Sequence, residues 1–427
     1  MTRLFKTASA ALVALAAFVV LASDQTMAQG KTTINVQYPL GFIFDNVFVT
    51  LKADFEKANP DITINYLPAY KEYEDAAQTG LRQAITKQLP DVGLQAINLQ
   101  RLFVDRKIAV DLSPFIAKEK DWVGQGFSPS MMALSTYGGK PYGLAFAVST
   151  PIIYINDELI TKAGGDPAKF PTTWNGIFDL ANKINKLGDD NVGLFYSWAI
   201  TGNWMWQALV FSHGGQMMSE DEKKIAFDQE PGRKAIELLG RMVTEAGMPD
   251  LTPEASRAAF FGGKLGIWTE STSLLRVADD GVAGKFKWRT ARFPVPGPNA
   301  KLPTGGAAAM MFTTDPARQM AAWRFMKFIT GPQGATIMVK GTGYMPPNSL
   351  PANDPNLLKP FYAEKPNHLT SLSQQSFMTA WYAFPGDNNL KIIQAIKDRL
   401  QTVVNKSAKP DAALAGMTSD VGKLLPK

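Results

Sequence analysis

The stretch YGGKPYGLAFAVSTPIIYINDELITKAGGDP, Tyr137 to Pro167, decides how the chain is divided. Two apolar runs, YGLAFAV and IIYIN, read as buried strands, with Ser149, Thr150 and Pro151 between them and a helix directly after. Pro151 has no N–H for a ladder, so it suits a place where the chain leaves one sheet and enters another. A bulge or an edge-strand proline in one large sheet explains the same residues, and periodicity leaves both readings open.

Upstream, KTTINVQYPL alternates Ile34, Val36 and Tyr38 as a strand does. Val47, Leu51, Phe55 and Ala58 then follow at helical spacing up to Asn59-Pro60. ITINYLPA, YEDAAQTGLRQAITKQ, LPDVGLQAIN and LQRLFVDRKIA continue the alternation of strand and helix. That pattern predicts a parallel sheet with helices on both faces, whose ligands sit beyond the carboxyl ends of the strands. Gln37, Tyr38, Gln95 and Asn98 would stand there. Downstream a second pattern of the same kind runs through TTWNGIFDLANKINKLG, NVGLFYSW, GNWMWQALVFSHGG and LGIWTES. The prolines and glycines of ARFPVPGPNAKLPTGGAAAMMF suggest another transit between substructures.

The first residues read as an export signal. Arg3 and Lys6 precede an apolar stretch from Ala8 to Ala22, too short for a comfortable membrane span, and Thr26-Met27-Ala28 offers small residues for cleavage. Cleavage after Ala28 leaves 399 of the 427 residues and a net charge of +5 in place of +6, as Arg3, Lys6 and Asp24 go. With no cysteine there is neither a lipid-modified anchor nor a disulfide, so a core drawn from 45% apolar residues carries the stability. No basic run points to nucleic acid. Only His213 and His368 are present, which excludes a histidine-rich metal site. No nucleotide-binding or serine-hydrolase motif appears, and no cofactor is expected.

Nearly the whole mature length resembles the family 1 extracellular solute-binding proteins, the carbohydrate-binding components of ABC importers. The likeness rests on LKADFEKANPDITINYLPA, LPDVGLQAINLQRLFVDRKIAVDLSPFI, the opening stretch, PTTWNGIFDLANKI, AAFFGGKLGIWTESTSLL and AAWRFMKFITGPQGATIMVKGTGYMPPNS, in that order and spacing. It implies an α/β, bilobed periplasmic-binding-protein fold, with two α/β lobes joined by crossover hinge segments around a central ligand cleft. The expected parts are a signal at 1–28, a first lobe at 29–148 and 304–332, and a second lobe at 149–303 and 333–427. Within the family the chain resembles the glycerol-3-phosphate binding proteins, through STPIIYIN, SWAITGNWMWQ, TGGAAAMMF and TGYMPP. Where those carry an arginine for the phosphate, this chain reads WYAFPGDNNLKII, and no arginine stands between Arg324 and Arg399. An uncharged sugar or polyol is therefore expected, although Lys140, Arg257 or Arg276 could still supply charge.

A sugar needs an aromatic platform and planar hydrogen-bonding groups. Trp198, Trp204 and Trp206 cluster with Tyr196, and Trp204 is the expected cleft residue; burial of all of them in a lobe core is the plain alternative. Glu270 with Ser271 ends a strand and would accept hydroxyl hydrogen bonds, or be a surface acid. Gly305 and Gly306 permit close backbone approach or a tight turn. By resemblance, Tyr344 and Glu74 match ligand-side residues; each has a local reading too, as a loop aromatic and a helix-start acid. Tyr38, Gln95, Asn98, Ser149 and Thr150 complete the set. The expected function is a monomeric periplasmic receptor that breaks no bond, closes on its ligand and docks on the membrane permease. A glycerophosphate receptor, and a secreted glycosidase using Glu74 and Glu270, are the rivals.

Overall fold

Strands and helices alternate through most of the chain, which the computed structural model describes over residues 31–297 and 299–426. The signal segment read at 1–28 lies outside the described residues. The strands before the opening stretch are β1 (Thr32–Gln37), β2 (Ile62–Tyr66) and β3 (Val92–Ala96). A small hairpin, β4 (Thr136–Tyr137) and β5 (Lys140–Pro141), leads into β6 (Gly143–Ser149) and β7 (Pro151–Asn156). Then come β8 (Val192–Tyr196), β9 (Leu265–Ser271), β10 (Trp288–Arg292), β11 (Leu302–Met311) and β12 (Met378–Ala380).

Two main sheets result. One has the order β12-β11-β3-β1-β2 with β6 also paired to β11, and the other the order β10-β7-β9-β8. β1 pairs in parallel with β2 and β3, as strand–helix–strand connections require. The helix Gly41–Ala58 covers this sheet with a stripe of Ile43, Phe44, Val47, Phe48, Leu51 and Phe55. In the second sheet Tyr154, Trp268 and Trp288 form an aromatic core with Phe260. The protein is thus a mixed α/β molecule with one sheet in each of two lobes.

Ser149 and Pro151 settle the opening alternative. Ser149 pairs with Gly305 in the first sheet, whereas Pro151 pairs with Ser271 in the second. Thr150 lies between them with no exposure, and its hydroxyl meets Ser371 Oγ at 2.8 Å and accepts from Gln374 Nε2 at 2.9 Å. The proline therefore sits at a crossing from lobe to lobe.

The stretch expected to be a transit contains β11, ten buried residues that pair with β3, β6 and β12. Its LPTGGAAAMM sequence lacks β-branched residues apart from one threonine, so intrinsic propensity is weak and pairing decides. The helix Pro332–Gly341, placed with the second lobe by a boundary at 333, packs on the helices Gly41–Ala58 and Pro316–Thr330 of the first lobe. The helices Asn389–Val404 and Pro410–Leu424 pack on Glu230–Thr244 in the second lobe. Among the described residues no helix is long and apolar enough to cross a membrane.

Candidate functional site

The lobes meet along a line defined by strand ends and by the start of one helix. Trp204–Ser212 is buried at every residue, because WMWQALVFS is apolar on most of its surface and its two polar side chains are hydrogen-bonded, Gln207 to the Tyr382 backbone and Ser212 to the Leu209 carbonyl. Trp206 turns into the second lobe, edge-on to Phe227. Trp204 turns to the crossing, and its indole N–H donates to the Pro303 carbonyl at 3.0 Å. A Cβ added to Gly305 would stand 2.8 Å from the Trp204 ring and 2.6 Å from Ser149 Oγ, so only glycine allows this approach. Gly306 has φ +115°, and a Cβ there would meet the Ala147 carbonyl at 2.0 Å. Both glycines therefore serve the hinge strand and the seat of Trp204.

The helix start itself is held from the opposite lobe. Gly202 and Asn203 both adopt left-handed backbone, with φ of 62° and 56°. Glu74, in the first turn of the first-lobe helix Tyr73–Ile85, accepts from the Gly202 N–H at 2.7 Å and from the Thr201 hydroxyl. Trp381 closes over this turn, donating its indole N–H to the Gly202 carbonyl at 3.2 Å with its ring 6.3 Å from that of Trp204. Asn98 abuts the same glycine: its amide nitrogen is 2.6 Å from where a Gly202 Cβ would be, its carbonyl accepts from Asn389 at 3.1 Å, and its Oδ1 has no partner.

On the second-lobe wall, β9 ends in Glu270 and Ser271. Glu270 is 4% exposed and accepts from the Ser271 N–H at 2.7 Å. Burial pushes its carboxyl up to about 7, opposed by the Ser271 N–H, the Ser197 hydroxyl and the charge of Arg257. Ser271 Oγ caps the next turn by accepting from the Ser273 N–H at 3.1 Å. Tyr344 stacks on Phe44 of the first lobe, ring centroids 5.6 Å apart, and its hydroxyl lies 3.2 Å from that of Tyr73. Burial pushes the Tyr344 hydroxyl up to about 12.

Glu74, Asn98, Ser149, Trp204, Glu270, Ser271, Gly305, Gly306 and Tyr344 therefore stand along or beside this line. Three expected residues point elsewhere. Tyr38 donates to Asp45 at 2.9 Å and stacks on Phe48 at 4.0 Å inside the first lobe. The amide of Gln95 lies beside Gly80 of the helix Tyr73–Ile85 and Gly93 of its own strand, with Oε1 unpartnered. The Thr150 hydroxyl is engaged at the crossing, as described above.

Tyr73, Ser197, Gly202 and Trp381 were not foreseen in these roles. A left-handed Gly-Asn pair before an apolar helix was the one local signal available. Of the cations named from sequence, Lys140 pairs with Asp111 at 2.9 Å and Arg276 with Asp280 at 2.8 Å. Arg257 stands over the Phe42 ring at 4.9 Å, across the lobes. Two cavities of about 420 and 650 Å³ open on the second lobe, and neither is lined by any of the twelve expected residues. Among the described residues no group of three or more His, Asp or Glu could hold a metal ion.

Two α/β lobes joined by crossing strands, with a polar and aromatic line between them, define the class of two-lobed binding proteins that close on a small molecule. Residues 50–370 match the family model for bacterial extracellular solute-binding proteins, and the chain belongs to that family. It is 25% identical over 364 residues to the sn-glycerol-3-phosphate-binding periplasmic protein UgpB of Escherichia coli K12, covering 81% of each. A putative binding protein of Brucella abortus is 25% identical over 314 residues, covering 70% of this chain and 72% of the relative.

Among solved structures, UgpB of Mycobacterium tuberculosis in complex with glycerophosphocholine superposes with a TM-score of 0.80 at 19% identity, over 92% of this chain and 98% of that one. A solute-binding protein of Thermotoga lettingae bound with α-D-tagatose gives 0.78 at 17% identity, over 93% and 100%.

Proposed function

We propose that this chain is the periplasmic receptor of an ABC importer, capturing a sugar or polyol between its lobes and presenting the closed form to the membrane permease. The observation that carries the choice of ligand is the acceptor-rich character of the meeting line. Glu74 and the unpartnered Asn98 Oδ1 offer acceptors at the Gly202 turn beside the Trp204 and Trp381 rings, and Glu270 offers another at the end of β9 on the second-lobe wall. Hydroxyl groups donate to such acceptors, and the apolar face of a sugar covers an indole. A phosphate is itself an acceptor and would need donors and cations there.

Contacts drawn from both lobes are complete only on closure, so ligand shifts the population toward the closed form. The names of the relatives, which bind sn-glycerol 3-phosphate or glycerophosphocholine, keep a phosphorylated polyol as the second reading, with Arg257 as its cation.

A thermal-shift screen of the exported form against monosaccharides, disaccharides, polyols and glycerophosphates tests this. A ligand at 100 times its Kd adds about 2.7 kcal/mol, and neutral compounds are expected to give the shift. A response confined to phosphorylated compounds would overturn the choice of ligand, and turnover of a glycoside panel would overturn the receptor itself.

A further inference from the structure

We infer that Gln374 is a positioning residue for lobe closure: its side-chain amide joins three of the chain's passages between the lobes into one block, so that they bend together and on the first-lobe side. The inference rests on reading the two lobes as parts that close on a ligand. The first passage runs from Ser149 to Pro151. The second leaves β10 at Phe293 for β11, and the third leaves Gln374 for β12, which pairs with β11 in the first sheet.

Gln374 is 1% exposed and touches all three. Its Nε2 donates to the Thr150 hydroxyl and to the Pro151 carbonyl, each at 2.9 Å, and its Oε1 accepts from the Phe293 N–H at 2.8 Å. A carbonyl only accepts and an N–H only donates, so the amide has one orientation here. The Thr150 hydroxyl, accepting from Gln374, donates onward to Ser371 Oγ at 2.8 Å.

Every partner lies on the second-lobe side. Pro151 opens β7, Phe293 follows β10, and the helix Leu369–Leu372, just ahead of Gln374, packs on β7 and β10. The second passage stays with that lobe further on, where the Gly297 and Lys301 N–H groups donate to the Ser212 and Phe211 carbonyls. Gln374 thus fixes the second-lobe ends of the passages to one another and leaves bending to their first-lobe ends. Those ends are Ser149, its ladder partner Gly305 with Gly306, and the turn Gln375–Phe377. A few residues at element ends, glycines among them, can absorb the rotation of one lobe against the other. Without the amide each passage would bend by itself, and Ser149 on the meeting line would lose its fixed station.

The chain has no cysteine, so Ile85→Cys on the first lobe and Lys169→Cys on the second take a pair of spin labels alone. Both side chains are largely exposed. Pulsed electron-electron resonance on the full exported chain, free of ligand, then reads the distance between the lobes. The comparison is with Gln374→Met, which keeps the length and loses every bond, and with Gln374→Glu, which keeps the acceptor for Phe293 and sets an oxygen against the Pro151 carbonyl. Amide exchange at Phe293 shows whether its bond is lost, and thermal unfolding shows that each variant is folded.

The wild type is expected to hold two narrow distances, open and closed, and Gln374→Met a broad distribution, with Phe293 exchanging about tenfold or more faster. Gln374→Glu is expected to broaden less and to keep slow exchange at Phe293, and it carries the test if Gln374→Met does not fold. Two narrow distances in the wild type and the same two in both variants overturn the role of Gln374 alone. One narrow distance shared by all three proteins overturns that role together with the reading of lobes that move.

Discussion

Replacing Glu270 by glutamine isolates the cost of holding a carboxylate in the wall between the lobes. An exposed glutamate titrates near 4.5, and burial raises this one to about 7. Below about pH 4.5 both the folded and the unfolded chain carry the proton, and the group does not bear on stability. Between 4.5 and 7 the unfolded chain releases the proton while the folded one keeps it, so stability falls as pH rises. Above 7 the loss is complete. At about 1.4 kcal/mol per pH unit it amounts to about 3 kcal/mol.

The glutamine side chain would keep the acceptor that the Ser271 N–H uses and would carry no charge. Urea unfolding of both ligand-free proteins at pH 5 and pH 8 is the assay. Glu270→Gln is expected to be more stable than the wild type by about 3 kcal/mol at pH 8, and equal within about 1 kcal/mol at pH 5. A difference that does not change with pH would refute the reasoning. The same variant is expected to bind its sugar more weakly, because an amide oxygen accepts a hydroxyl less strongly than a carboxylate does. A stability gain joined to a binding loss would show why a buried acid is kept here.

Gly306→Ala places a Cβ 2.0 Å from the Ala147 carbonyl at a φ of +115°, so a loss of roughly 2–6 kcal/mol in unfolding free energy is expected. Gly305→Ala meets the Ser149 hydroxyl and the edge of Trp204 instead, and roughly 1–3 kcal/mol is expected. Equal losses at the two positions would argue against the backbone clash. Arg101 of the first lobe makes a bidentate pair with Glu222 of the second, at 2.7 and 2.8 Å, with side chains 26% and 33% exposed. Such a pair contributes about 1 kcal/mol and acts only on the closed form. Arg101→Ala is expected to weaken ligand binding about fivefold, with the effect absent in a Glu222→Ala background; an unchanged Kd would exclude the latch.

How far the sequence could be read follows from where each signal resides. Alternating strands and helices, together with one proline that cannot join a ladder, announce two sheets and a crossing between them, because periodicity and a missing N–H are local properties. That Glu270, Ser271 and Asn98 stand at the line between the lobes was legible for a related reason: the carboxyl ends of strands in such folds open on the crevice. Tyr38 met the same rule and departs from it because Asp45, seven residues on, captures its hydroxyl and Phe48 stacks on its ring.

Trp381 and Tyr73 carried no local signal. Their partners, Gly202 and Tyr344, lie 179 and 271 residues away in the chain. The weight that Gly202 bears is equally non-local: its N–H binds Glu74, its carbonyl binds Trp381, and its missing Cβ admits Asn98. One glycine thus joins two segments of the first lobe and a C-terminal tryptophan to the helix start. Closure of the lobes is therefore geometrically tied to the conformation of this turn, and any ligand that stabilises the turn stabilises closure with it.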